Sequence, residues 1–280
     1  MLTKTSRNVI RIAATYIVVA VAFVFFISPM LWIIYSSFRG HESLFSGRWA
    51  TPLHDFTLEN YQNILMVTDF PRYFVNSFRI ALSVTVMAVV VSILGAYGLS
   101  RFRIRGKNVY IMGIFSTQMF PIILLLIPIY NIIYTFGLLD RTIGVVLGQN
   151  ILVLPFCMWM LKGYFDNLPV DIEDAARIDG CSILQILYRI VLPISAPGIF
   201  VAAFYSFVVS WGDYLVVSII AQSQRTATLP LVLQRLGSAL TLRWGQVAAA
   251  SVLTIVPTII LFSFVQRWLV EGLTAGAVKS

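Results

Sequence analysis

The chain has 280 residues, of which 59% are hydrophobic and only 11% are charged. Because a soluble domain carries about 25% charged residues, this composition excludes an ordinary soluble domain and indicates an integral membrane protein. The net charge of +8 at pH 7 fits basic residues held against anionic lipid, so it is not evidence for a nucleic-acid partner.

The chain contains six apolar segments, and each is long enough to form a transmembrane helix of about 20 residues. The sequence therefore predicts an all-α integral membrane protein with a single transmembrane domain over residues 1–280. The predicted spans are residues 12–35, 74–99, 110–136, 143–161, 199–221 and 247–264.

The first segment is predicted to be an uncleaved helix bent near Pro29, because its apolar core is longer than that of a signal peptide. The polar loop that follows, residues 36–73, is expected to form a small external structure. In the third span, Pro121 and Pro128 are both expected inside one helix. Membrane helices tolerate proline where neighbouring groups satisfy the freed carbonyls.

Basic residues are distributed unequally between the two sides of the predicted membrane. Lysine and arginine are more frequent in the N-terminus, the 101–107 loop, the 162–198 loop and the C-terminus than in the opposite loops. The positive-inside rule then places both termini and the 162–198 loop in the cytoplasm. The 222–246 loop, which contains arginines and no acid, runs against the rule.

Residues 171–198 form the most polar stretch in the C-terminal half and indicate two short helices. Asp171 is predicted to cap the first helix, with Asp174 three positions later as in a capping box. Gly180 is predicted to end this helix in the left-handed conformation. A helix of about two turns at a membrane surface can dock into a groove of another protein.

The second short helix is predicted to start at Ser182, because Gln185 follows three residues later and completes a capping box. It is expected to run to a break at Leu192-Pro193, where proline removes a backbone donor.

This stretch resembles the EAA loop of ABC importer permease subunits. The family spacing is matched by Asp174-Ala175-Ala176, Gly180 and Ile190-Val191-Leu192-Pro193. The family's first Glu is replaced by Asp174, although Glu173 stands immediately before it. The C-terminal residues 266–280 are similar to the tail of carbohydrate-type permeases, so the resemblance points to the maltose-type carbohydrate branch.

The resemblance implies the type I ABC importer permease fold and a set of partners. These are a cytoplasmic ABC ATPase dimer that binds ATP and Mg, a second permease subunit in a heterodimer, an extracytoplasmic binding protein and a sugar substrate. It implies a location in the bacterial or archaeal cytoplasmic (inner) membrane, among lipids. The residues that would couple the ATPase to the membrane helices are Glu173, Asp174, Ala175, Ala176, Gly180, Leu192 and Pro193.

No motif for catalysis or ATP hydrolysis is visible in the sequence. Gly106-Lys107 is the nearest match to the end of a P-loop, but Arg101 stands where the motif needs glycine and Asn108 replaces its Ser/Thr. The sequence thus predicts a transport subunit rather than an enzyme, with no cofactor or metal of its own.

Asp213 is the only acid within an apolar run, between Trp211 and Tyr214. A charge inside the bilayer is costly, so this side chain should face a cavity or a partner. One interpretation places Trp211, Asp213 and Tyr214 on the substrate pathway; the other has Asp213 bonded to a neighbouring helix. Further polar residues inside the spans that either line the pathway or bond between helices are Gln118, Asn131, Gln149 and Asn150.

Two functional alternatives remain beside the sugar importer. The first is an ABC permease for glycerol phosphate or another anionic or polar solute, because basic residues such as Arg225 and Arg235 lie in the predicted external loops. The second, from a different class, is a self-sufficient secondary carrier, which would move solute without an ATPase.

Overall fold

The computed structural model describes residues 4–40, 44, 56–237 and 243–277, and its regular structure there is helical. The long helices coincide with the apolar segments of the sequence. In chain order the helices are α1 (Lys4–Ser37), α2 (Glu59–Gln62), α3 (Phe70–Arg101), α4 (Lys107–Met119), α5 (Ile122–Thr135), α6 (Thr142–Asp166), α7 (Val170–Ile178), α8 (Ile183–Ile186), α9 (Ala196–Gly212), α10 (Leu215–Ile220), α11 (Leu229–Gly237) and α12 (Trp244–Ala277).

Membrane-spanning length is reached in two ways. Four spans are unbroken in the described residues: Arg11–Ser37, Phe70–Arg101, Thr142–Asp166 and Trp244–Trp268. Two more form if each bent pair counts as one span. The bend is 107° between α4 and α5, and it is 80° between the helical segment Ile183–Ile194, which begins with α8, and α9. The prediction of an all-α membrane protein is confirmed.

The third predicted span differs from the structure, because it is divided at Phe120 and Pro121. Both residues have extended backbones, and α5 starts only after Pro121. Proline has no backbone N–H and disfavours helical conformation in the residue before it, so helix α4 stops there. Pro128 lies inside α5 as expected.

The fifth predicted span, residues 199–221, is also interrupted. Helix α9 ends at Gly212, and Asp213 has an extended ψ of 123° before α10 begins at Leu215. The predicted 36–73 and 222–246 loops lie partly outside the described residues. Their described parts include α2, the π-helical turn Asn63–Val67 and α11.

The chain separates into two compact units. The first comprises Met1–Phe70 and Arg235–Ile255, and the second comprises Pro71–Gln234 and Val256–Ser280. In the first unit, Asn60 donates hydrogen bonds from Nδ2 to the carbonyls of Ser37 and Arg39, at 3.0 and 2.8 Å. A Cβ on Gly245 would lie 2.7 Å from the Arg39 carbonyl, so only glycine fits beside this cluster.

Helix α6 forms the centre of the second unit and packs against α4, α5, α9 and α10. Its glycines permit close approach: a Cβ on Gly148 would lie 2.8 Å from Ile220 Cδ1. Gln149 and Asn150 are buried in the same turn of the helix.

The turn between α5 and α6 is joined to the end of α10 through Asp140. Its carboxylate accepts hydrogen bonds from the backbone N–H groups of Gln222 and Ser223, at 3.1 and 3.0 Å, and from the Thr226 hydroxyl. Burial would raise the pKa of Asp140, but the hydrogen bonds from Thr226, Ser223 and Gln222 outweigh it and lower the pKa below its ordinary value.

Candidate functional site

The first candidate site is the loop that contains α7. The helix begins at Val170 after Pro169, with no side-chain cap, so the prediction that Asp171 is the N-cap is wrong. Asp171 lies instead in the first turn, where its negative charge still favours the positive end of the helix. The helix starts directly after Pro169, whose ψ of 127° is not helical.

Gly180 ends α7 as predicted, with a positive φ of 84°. The N–H of Cys181 donates to the Ala176 carbonyl and the N–H of Gly180 donates to the Arg177 carbonyl, both at 3.0 Å. This pair of bonds is a Schellman motif, which needs the left-handed residue at this position.

The second short helix also starts as predicted. The Ser182 hydroxyl accepts a hydrogen bond from the Gln185 N–H, and the Gln185 side chain accepts one from the Ser182 N–H. Its predicted end at Leu192-Pro193 is wrong. The chain stays helical after α8, first through a π-helical turn, Leu187–Val191, and then through one more turn, Leu192–Ile194. Pro193 lies near the start of this last turn, where its missing N–H costs little.

Glu173 lies on the inner face of α7 and is only 2% exposed. Its carboxylate accepts hydrogen bonds from the Tyr97 hydroxyl at 2.9 Å and from Arg101 Nε at 2.6 Å. Arg101 also donates to the Leu168 carbonyl at 3.3 Å. This buried ion pair joins the short helix directly to the end of span α3.

Sequence reasoning missed both partners of Glu173. In the sequence, Arg101 was counted only among the basic residues of the 101–107 loop, but its side chain is only 7% exposed. Tyr97 sits within an apolar run that gives no sign of a polar role. Residues more than seventy positions apart in the chain carry no local pattern that could pair them.

The outer face of α7 is formed by other residues. Asp174 and Arg177 are exposed and form an ion pair with each other. Ala175 is exposed, whereas Ala176 is 6% exposed and faces inward. The two alanines that the resemblance paired therefore differ in exposure, since adjacent residues of a helix are about 100° apart. The remaining exposed side chains are the apolar Val170, Ile172 and Ile178 and the acidic Asp171.

The second candidate site is a cavity of about 250 Å³ in the second unit. It lies beside two helix breaks: Phe120 and Ile122 border the break between α4 and α5, and Asp213 lies in the break between α9 and α10. Its lining residues come from α4, α5, α6, α9 and the two breaks: Thr117, Gln118, Phe120, Ile122, Leu125, Gln149, Leu152, Val153, Tyr205, Val209, Ser210 and Asp213.

Asp213 is bonded to neighbouring groups and also borders the cavity. Gln149 Nε2 donates to its carboxylate at 2.9 Å, and the N–H groups of Val216 and Val217 approach it at 3.4 and 3.3 Å. Ser210 in turn donates to Gln149 Oε1 at 2.5 Å. The bond from Gln149 agrees with the interpretation that Asp213 is bonded to a neighbouring helix. A role of Asp213 on the substrate pathway stays a prediction.

Trp211 and Tyr214 are placed differently from Asp213. Trp211 is 5% exposed and packs against Phe207 and Phe74, with ring centroids 5.5 and 5.4 Å away. Neither Trp211 nor Tyr214 is among the lining residues of the cavity. The aromatic rings that do border it are Phe120 and Tyr205, and nothing in their sequence context singled them out.

Comparison with known proteins gives matches over most of the chain. Residues 88–274 match the family described as binding-protein-dependent transport system inner membrane component. The inner membrane ABC transporter permease protein YcjP of Escherichia coli is 35% identical over 277 residues, which cover 98% of this chain and 99% of that protein. The trehalose/maltose transport system permease protein MalG of Thermococcus litoralis is 34% identical, covering 90% and 91%.

A further relative is the maltodextrin transport system permease protein MdxG of Bacillus subtilis, 32% identical and covering 99% of both chains. Among solved structures, a chain of a bacterial ABC transporter involved in the import of the acidic polysaccharide alginate aligns with a TM-score of 0.83 and 22% identity. The alignment covers 95% of this chain and 98% of that one. This similarity shows that the fold is shared.

Proposed function

The chain belongs to the family of binding-protein-dependent transport system inner membrane components, and from this membership we propose that it translocates a sugar or oligosaccharide as the permease subunit of an ATP-driven importer. One observation carries the choice of a sugar. Permeases named for trehalose/maltose and for maltodextrin transport match this chain over 90% or more of its length.

The energy for transport comes from a partner ATPase that binds ATP and Mg. We infer that the outer face of α7 docks on this ATPase. In support, the face exposes the apolar side chains of Val170, Ile172 and Ile178, its Asp174 and Arg177 charges neutralise each other, and Asp171 adds one negative charge. The Schellman motif at Gly180 and the capping box at Ser182 hold the docking helix in a defined orientation.

Movement of α7 reaches the membrane through Glu173. Since its carboxylate is bonded to Tyr97 and Arg101, a displacement of α7 acts directly on the cytoplasmic end of α3. A buried ion pair resists separation, because either charge left alone would be costly. The docking helix and span α3 therefore move together.

On the opposite side, a binding protein delivers the sugar and a second permease completes the pathway. The positive-inside distribution over all the loops supports cytoplasmic termini. With six spans, the loops at 36–73 and 222–246 then lie on the external side. Binding protein and ATP must each bind the outward-open state more tightly than the inward-open state, since otherwise neither shifts the equilibrium.

Purification from native membranes in mild detergent, followed by reconstitution, tests this function. We expect an ATPase subunit and a second permease to co-purify, and proteoliposomes of the complex to take up sugar only with ATP and the binding protein. Recovery of the chain alone, with solute uptake that needs no ATP, would instead establish a secondary carrier.

A further inference from the structure

We propose that the cavity beside Asp213 is a subsite for one uncharged, hydroxyl-rich ring and that the Asp213 carboxylate excludes anionic sugars from it. The inference rests on the proposed function, because it names the substrate class that the importer accepts. It gives this subunit a part in selecting the substrate.

The charge of the cavity is the first argument. Asp213 is the one charged residue among the described side chains that line it, and these include no lysine, arginine or histidine. In the part of the chain that the structure describes, no basic side chain forms an ion pair with Asp213. An anionic group entering the cavity would therefore meet a negative charge at short range.

The hydrogen-bonding capacity of the cavity is the second argument. An ionised carboxylate offers about four acceptor sites. The N–H groups of Gln149, Val216, Val217 and Leu215 face that of Asp213, and those of Val216 and Val217 lie as far away as 3.4 and 3.3 Å. A ligand hydroxyl can therefore replace one of these long contacts. Gln118 uses its Nε2 to donate to the Leu152 carbonyl at 3.0 Å, which leaves its Oε1 as a further acceptor. Sugar hydroxyls can donate to these acceptors, whereas carboxylate, sulfonate and ionised phosphate groups bring acceptors only.

The rest of the lining suits the apolar face of a sugar ring. Phe120, Tyr205, Leu125 and Val209 form a wall that contains two aromatic rings, and the half-buried Tyr205 also brings a hydroxyl. A volume of about 250 Å³ is just under the ~300–1,000 Å³ typical of small-molecule pockets. The cavity therefore accommodates one ring and not a long chain.

A second charged pocket in the same unit has the opposite sign. Arg72, Arg79 and Arg225 line a pocket of about 520 Å³ that shares no lining residue with the cavity. An anion attracted to these arginines would still meet the Asp213 carboxylate if it occupied the cavity, so this pocket does not alter the predicted selectivity.

Thiol modification can measure the sign of the potential in the cavity. In the assembled complex, with Cys157 and Cys181 replaced by Ala and Ser, a Val209→Cys change places a thiol on the cavity wall. We expect a cationic methanethiosulfonate reagent to modify this thiol at least tenfold faster than an anionic one, after correction for their intrinsic rates. Asp213→Asn should reduce this preference to less than about threefold.

Asn keeps the ability to cap α10 and to accept from Gln149, so Asp213→Asn removes the charge with little change in structure. Asp140→Asn is the matched control, because it removes an acid from the α5–α6 turn, and it should leave the tenfold preference unchanged. Equal rates for the two reagents in the protein that retains Asp213, or an unchanged preference in Asp213→Asn, would overturn the proposal.

Substrate protection provides the second readout. A neutral sugar that the complex imports should slow modification of the thiol introduced by Val209→Cys, and the corresponding uronic acid should not. ATP-driven uptake of a neutral sugar without any such protection would reject the subsite and leave the importer function intact. A complex that imports no sugar at all would reject the proposed function itself.

Discussion

At the scale of single residues, Gly180 shows how one backbone angle fixes the end of α7. A Cβ built on Gly180 meets no atom within 4 Å, so a side chain there is limited by the left-handed conformation and not by space. This conformation costs a residue other than glycine about 1–2 kcal/mol, and asparagine tolerates it better than most.

We expect Gly180→Val to lower the sugar transported per ATP hydrolysed, because a β-branched residue disfavours the positive φ of 84° that aims α7. Gly180→Asn should retain most of this coupling ratio. Parallel assays of uptake and hydrolysis in proteoliposomes measure both. Equal losses in the two variants would show that the docked ATPase occupies the space at Gly180 and that the backbone angle is not the cause.

Local features of this kind could be predicted from the sequence, whereas distant partnerships could not. Gly180 and the Ser182–Gln185 capping box depend on neighbours within a few positions, so their signals are contained in the sequence itself. The bonds from Glu173 to Tyr97 and Arg101 depend on how α3 and α7 pack. Trp211 was assigned to the pathway from its chemistry, but packing against Phe74 and Phe207 buries it.

At the scale of helices, the connection between α3 and α7 is the element that the proposed mechanism depends on most. We expect Glu173→Gln and Arg101→Gln to destabilise the complex individually, since breaking a buried pair from one side costs about 3–5 kcal/mol. The double variant should recover much of this stability, because no charge is left unpaired. Thermal unfolding of the purified complex measures both effects.

Coupling should respond differently from stability in these variants. The double variant lacks the ion pair that joins α7 to α3, so it should still hydrolyse ATP while transporting less sugar per ATP. Tyr97→Phe, which removes a single hydrogen bond, is the milder comparison. Wild-type coupling in the double variant would show that the pair only stabilises the fold.

Proline illustrates what composition alone leaves undecided at this scale. Pro121 and Pro128 both lie in the third predicted span, yet only Pro121 interrupts the helix. Whether a proline breaks or merely bends a helix depends on which neighbours satisfy the freed carbonyl groups. The existence of the apolar spans was therefore predictable, but the two breaks that form the cavity were not.

At the scale of the whole molecule, the proposed orientation in the membrane can be tested with the native cysteines. Cys181 is half-buried beside Gly180, and Cys157 is fully buried. We expect a membrane-impermeant maleimide to label Cys181 in inside-out vesicles from which the ATPase has been stripped. The same reagent should not label Cys181 in intact cells. Labelling at the wild-type level in Cys181→Ser, or labelling of intact cells at Cys181, would contradict the assignment of α7 to the cytoplasmic side.

The turn at Asp140 has a consequence for the habitats in which the transporter can work. Its lowered pKa means that the hydrogen bonds to residues 222–226 contribute their full stability above the ordinary carboxyl value of 3.8. That contribution is lost only as the pH falls through the lower, folded-state value. The proposed orientation places this turn on the external side. We therefore expect these hydrogen bonds to hold the outer end of α10 even when fermentation acidifies the medium.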